Sequence, residues 1–350
     1  MGGRLTLKRG VVVSTDPLAV EVDGEHRAAW ADEVLLGEMR EGDEVVVNTA
    51  ALDLGLGSGG FDVVHINLTR GLDGGGAGDA HVMKLNYTSL QHPVEPCERP
   101  VDIGRFETDA KRPKGTARVA PVLALPLHGH LAPAAWAAAD AAPGLRVGYV
   151  QTGGGALPGS LSRDVRELRE RDLLVGHVTA APAYGGEHEA LSVVGAIDAA
   201  VASLGWDAVL VGPGPGIIGS ETRLGHGGII ALDNAHAGLA LGLPTAICPR
   251  LSASDPRERH RGLSHHTCTV LELLLAPVDV PLPDDATDLV AAIEELSGHN
   301  HRPQLVRYAL AAYSASGLPT RTMGRDLDDD PLFFAAPLSA GRYLAESRNA

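Results

Sequence analysis

Lysine is nearly missing from this chain of 350 residues: Lys8, Lys84, Lys111 and Lys114 are all there are. With none after Lys114, no G-x-x-x-x-G-K-[ST] loop can be drawn, which excludes a P-loop nucleotidase and its ATP site. Cysteine is as sparse. Cys97, Cys248 and Cys268 are odd in number, widely spaced and form no C-x-x-C pair. That argues against a disulfide framework or a cysteine-based zinc site, and for a reduced, cytoplasmic setting. Residues 1–10 carry no apolar core of a signal peptide, and no apolar run approaches the ~18 residues of a membrane span. Aromatics are 4% of the chain, so residues 1–95 lack a base-stacking platform. Basic side chains are outnumbered 29 to 44, a net charge of −15, which argues against a nucleic-acid partner. Neither G-x-S-x-G nor H-E-x-x-H occurs, so a hydrolase nucleophile elbow and a zincin helix are both absent.

Glycine and proline are abundant, 43 and 23 residues, and they punctuate the chain without a repeat. The length suits two domains at about 100–200 residues each. Residues 1–95 read as a β-rich module with short β-branched runs at 5–14, 18–22, 44–48, 61–68 and 81–87 and a hairpin signal at Asp23-Gly24. A small barrel or sandwich is the expected form. Residues 96–117, proline-rich and aperiodic, read as a linker. From 118 to 283 short buried-type strands alternate with helical spacing, which predicts an α/β domain with a doubly wound, mainly parallel, Rossmann-like sheet. Ser264 is the expected N-cap of a helix ending before Pro277. Residues 284–350 read as helices, at 286–296 and 303–314, followed by an extended tail.

In such a sheet the ligand crevice lies beyond the carboxyl ends of the strands. Five loops follow strands: 126–130, 151–155, 181–188, 212–222 and 249–266. Seven of the fifteen histidines (His128, His130, His188, His226, His260, His265 and His266) fall in or just after them. The fourth loop offers G-x-G-x-x-G as Gly214, Gly216 and Gly219, running on through Ser220. It follows a fourth strand rather than a first and carries two prolines, so NAD or FAD binding is disfavoured. Backbone N–H groups presented to an anion are the expectation there. The fifth loop crowds Arg250, Arg257, Arg259 and Arg261 into an acidic chain. Guanidinium forks suit phosphate or carboxylate, although Asp255 and Glu258 could instead pair them in a solvated loop. His128-Gly129-His130 is an H-x-H pattern. With His260, His265 or His266 and a carboxylate such as Glu187 a divalent metal site can be drawn. The same imidazoles could equally be hydrogen-bonding or acid/base groups. Cys248 and Cys268 read as core residues.

Five stretches resemble the bacterial family labelled domain of unknown function 3866. They are Gly42-Asp43-Glu44-Val45-Val46-Val47-Asn48-Thr49 with residues 52–60, residues 81–85, residues 211–224, Glu258-Arg259-His260-Arg261-Gly262 with Ser264-His265-His266-Thr267, and Thr322-Met323-Gly324-Arg325. The resemblance spans nearly the whole chain and implies no activity or cofactor. Glu221 stands where that family's pattern has a small residue.

These readings converge on one expectation: an enzyme of hydrolase or lyase type acting on a small anionic metabolite. Arg250, Arg257, Arg259 and Arg261 with Gly214, Gly216, Gly219 and Ser220 are the anion contacts. His128, His130, His260, His265 and His266 are the catalytic candidates. The alternative is a non-catalytic metabolite sensor using the same crevice.

Overall fold

A computed structural model describes residues 3–56, 59–76, 78–99, 120–296, 300–322 and 324–349. It divides into two compact units, Met1–Val94 and Glu95–Ala350. Most of the linker expected at 96–117 lies outside the described residues, as does Met323.

The first unit is a closed barrel of five strands: β1 (Leu7–Thr15), β2 (Leu18–Val22), β3 (Glu25–Trp30), β4 (Glu44–Asn48) and β5 (Asp62–Asn67). Their order is β1-β2-β3-β5-β4, so closure leaves no free edge. Strand alternation puts Val12, Val20, Val22, Val45, Val47 and Val64 inside, capped by Met39. Asp23 and Gly24 both take positive φ, the geometry of the hairpin turn expected between β2 and β3. Short helices α1 (Glu33–Leu36) and α2 (Ala50–Asp53) bridge strands, and β6 (Val82–Lys84) pairs with β7 (His92–Val94).

The second unit runs β8 (Val122–Ala124), α3 (Leu131–Ala141), β9 (Val147–Thr152), α4 (Arg163–Glu170), β10 (His177–Ala180), β11 (His188–Ala190), α5 (Val193–Ala202) and β12 (Ala208–Pro213). It continues through α6 (Ile230–Ala240), β13 (Thr245–Ile247), the small pair β14 (Leu251–Ser252) and β15 (Gly262–Leu263), and α7 (His265–Leu273). Then come β16 (Asp279–Pro283), α8 (Asp288–Glu295), β17 (Arg302–Val306), α9 (Leu310–Ser314), the hairpin β18 (Arg321–Thr322) and β19 (Arg325–Asp326), and α10 (Pro331–Glu346). Eight strands form one sheet in the order β11-β10-β9-β12-β8-β13-β16-β17, every pair parallel. No described helix is long and apolar enough to cross a membrane.

Both faces of this sheet are covered, so its strands are continuous apolar runs rather than alternating ones. Val122, Val209 and Val211 face one core together with Ile197 of α5, Ala231 of α6, Val270 of α7 and Ile293 of α8. Leu123, Leu210 and Tyr149 face the other, with Leu131 of α3, Leu168 of α4, Tyr313 of α9 and Phe333 of α10. The helix expected over 303–314 is instead β17 followed by α9. The β16 edge captures Arg302–Val306 as a parallel strand, and Arg302 pairs with Asp279 at 2.7 Å. Pro303 is tolerated because this strand is at the edge.

Helix α10, from the stretch read as an extended tail, lies directly on α3. A Cβ at Gly341 would collide with the Ala134 backbone. Gly341→Ala should therefore destabilise the fold by about 1–3 kcal/mol through overpacking. Helix propensity alone predicts the opposite sign, a gain of up to about 1 kcal/mol. Urea denaturation decides between the two.

Candidate functional site

The chain passes from β8 to β9 two positions away, proceeds outward to β10 and β11, then returns to place β12 between β9 and β8. The strand order reverses there, and crevices in open sheets form at such reversals. A cleft of about 550 Å³ opens at the carboxyl ends of the adjacent strands β12, β8 and β13. Leu127, His128 and Gly129 line it from the loop after β8. Residues 215–219, Glu221, Thr222 and His226 come from the loop after β12, and Arg250, Arg257, Arg259, His260, His265 and His266 from the segment after β13. Thr322 reaches it from β18 and Asp164 from α4. Three of the five expected loops thus contribute most of the lining. The loop at 151–155 is used in packing: a Cβ at Gly154 would meet the Gly227 carbonyl and one at Gly155 the Gly214 carbonyl.

The segment after β13 is organised around one buried carboxylate. Asp255 is fully buried. It accepts hydrogen bonds from Arg250 Nη2 (3.1 Å) and from Arg257 Nε (3.0 Å) and Nη2 (3.1 Å), and Arg325 Nη1 lies 3.2 Å away. Burial alone would raise its pKa, but these partners, Arg257 first, hold it well below the usual carboxylate range. Arg325 also donates to Asp330 and Ser252, tying the β18–β19 hairpin to the same hub. Arg250 is buried and its pKa is pulled down to about 10 by that burial. Arg261 donates to the Asp255 backbone carbonyl at 2.8 Å and does not line the cleft. Arg259 is held most loosely, with its side chain 39% exposed and Glu221 3.8 Å away.

Four imidazoles crowd beside these arginines. Ser264 caps α7 as expected: its Oγ accepts from His266 N and contacts His260 Nδ1 at 2.7 Å. The cap aims His265 and His266 of the first helical turn at the cleft. The rings of His226 and His266 stack at 3.7 Å between centroids and 2° between planes. His265 lies 4.4 Å from His266 and 4.8 Å from His260, centroid to centroid. One ligand atom from each of His226, His265 and His266 lies within 4.8 Å of the others. Burial, with help from Arg250, lowers the pKa of His260 to about 3; burial and neighbouring His226 lower His266 to about 2. His226 and His265 shift the same way, again chiefly by burial. All four rings are therefore neutral near pH 7. His226 is 6% exposed, and neither of its ring nitrogens makes a hydrogen bond. The Arg223 carbonyl is close enough to favour its protonated form but lacks hydrogen-bond geometry.

Of the other sequence candidates, some line the cleft with their polar groups already engaged and others lie away from it. Residues 128–130 form a helical turn rather than an extended segment, so the two rings diverge. His128 Nδ1 faces the Pro213 carbonyl at 3.1 Å and Nε2 faces Ser162 Oγ at 2.7 Å. The carbonyl fixes the proton on Nδ1, so Ser162 donates to Nε2, and burial keeps the ring neutral. Ser162 also caps α4. His130 is fully buried between Cys248 Sγ (3.3 Å) and the Phe333 ring, away from the cleft, with its pKa lowered to about 3 by burial. Burial pushes the Cys248 thiol up, so this is no thiolate–imidazolium pair. Glu187 is bonded to Arg169 at 2.5 Å and does not line the cleft, and His188 sits on the edge strand β11. Gly214 is pressed against the Ala156 carbonyl, and Ser220 N donates to Gly225 O at 2.7 Å, so that amide is already used within its own loop. Gly216 (φ +76°) and Gly219 do line the cleft.

The arrangement can do two things chemically. Its cationic wall attracts a phosphate or carboxylate, and its neutral nitrogens can donate, accept or ligate. Comparison with curated proteins and with solved structures finds no match. A family model described as "Protein of unknown function (DUF3866)" matches residues 28–341, so both units contribute to the match and the chain belongs to the DUF3866 family.

Proposed function

We propose that the protein is an enzyme of hydrolase or lyase type that acts on a small phosphorylated or carboxylated metabolite in this cleft. One observation carries the reading: Arg250, Arg257 and Arg259 share the wall of one cleft with four clustered imidazoles. Arg250 and Arg257 are committed to Asp255 and supply positive potential; Arg259 is the guanidinium free to move onto an anion. The neutral rings of His265 and His266 orient and polarise the bound group. The cleft volume suits a metabolite rather than a polymer.

Calorimetric titration with inorganic phosphate tests the anion wall. Arg259→Ala should weaken binding at least about tenfold, the loss of one charge-assisted hydrogen bond, with the fold unchanged by circular dichroism. Equal affinity in the variant would remove Arg259 from the site. A sensor would bind an anion in the same way but convert none, so product formation separates the two readings.

A further inference from the structure

We infer that His226, His265 and His266 bind one divalent transition-metal ion of the zinc class on the wall of the cleft. The inference rests on the reading above, because it places the metal beside the proposed anion.

Three observations support it. The three candidate ligand atoms stand within 4.8 Å of one another. Around a tetrahedral zinc, nitrogen ligands are about 3.4 Å apart, given metal–nitrogen bonds near 2.0–2.1 Å. Loading therefore requires the ligand atoms to close by up to about 1.4 Å through side-chain rotation. Second, His226 is 94% buried by its 6% exposure, lines the cleft and has no hydrogen bond on either nitrogen. A desolvated imidazole with no well-formed hydrogen bond is costly, and a metal ion satisfies it. Third, the cluster is nitrogen-only. That donor set selects zinc, cobalt, nickel or copper over magnesium and calcium, which want oxygen.

Loading requires two adjustments. The face-to-face stack of His226 on His266 must open by rotation of one ring. Arg250 Nη1, now 3.3 Å from His266 Nδ1, must give up that contact, because a ligating ring has no lone pair left for a guanidinium. Gly228 makes room for the movement: a Cβ there would stand 3.2 Å from His266 Nδ1 and 3.3 Å from His226 Nδ1.

The test uses the full-length, tag-free chain, stripped with a chelator and titrated with Co²⁺, followed by visible absorption. One equivalent should produce the d–d bands of a nitrogen-ligated ion. His226→Ala and His265→Ala should each weaken binding at least tenfold while circular dichroism shows a native fold. Arg259→Ala should keep the bands. Absence of bands in the wild type, or unchanged affinity in both histidine variants, overturns the metal site. The two readings fail separately. Phosphate binding that depends on Arg259, without cobalt bands, overturns the metal and leaves the anion cleft standing. Cobalt bands that depend on the histidines, without phosphate binding, support the metal and overturn the anion wall.

Discussion

Asp255→Ala should cost about 3–5 kcal/mol of folding stability at neutral pH, the loss expected when a buried ion pair is broken from one side. Arg250 is 3% exposed and has no other carboxylate partner among the described residues, so its charge would stay buried beside Arg257 and Arg325. Neutralising the guanidinium is not an escape, because arginine keeps its proton in proteins. Arg325 retains Asp330, so the β18–β19 hairpin should hold on better than the segment after β13. Asp255→Asn, which keeps the shape and one acceptor oxygen, should fall between wild type and alanine. Urea denaturation at pH 7 measures all three. A loss under about 1 kcal/mol would mean that water reaches the arginines and that the hub is a solvated surface pair.

Acid should destabilise the protein well before its carboxylates titrate. His226, His260, His265 and His266 all have folded-state pKa values below the usual 6.5. Between 6.5 and the folded values the unfolded chain binds more protons than the folded one. Stability is therefore fully present above pH 6.5 and falls as pH drops, for His260 and His266 down toward about 3 and about 2. Each fully shielded histidine contributes up to about 1.4 kcal/mol per pH unit, and partly exposed His265 contributes less. Ordinary carboxylates take up few protons above about pH 5.5, so the window above it isolates the histidines. His128 and His130 are also shifted down by burial and add to the slope. A double variant, His260→Gln with His266→Gln, separates the cluster from them. Its stability should depend visibly less on pH between about 6.5 and 5.5 in urea titrations. An unchanged slope would place the acid sensitivity elsewhere.

Much of the second unit was legible because its strands are short buried runs, which a sheet covered on both faces requires. The cap at Ser264 was legible for a local reason: a hydroxyl one residue before a helical run satisfies a free N–H. β3 was not, because Glu25–Trp30 contains no β-branched residue; the tight turn at Asp23-Gly24 and the ladder to β2 decide it. Pairing also overrode propensity at β17. Within the site, the arginine-rich segment and its histidines were visible as composition, and pairing by Asp255 was foreseen as the blander outcome. His226 is one of the seven loop histidines, but nothing in the sequence sets it apart as a partner of His265 and His266. The loop after β12 doubles back so that Gly219 bridges His226, and only that fold carries the ring to α7. The H-x-H pattern misled for a geometric reason: one helical turn separates rings that an extended strand would align.

The proposed function requires one cleft that both binds and converts a small anion. The most direct measurement is incubation of the tag-free protein with a panel of phosphorylated and carboxylated metabolites, followed by mass spectrometry for products. The wild type should turn over at least one compound. Arg259→Ala should lose it through weaker binding, and His265→Ala should lose it while still binding the compound. Tight binding of a metabolite with no product in any protein would overturn the enzyme and leave a sensor in its place.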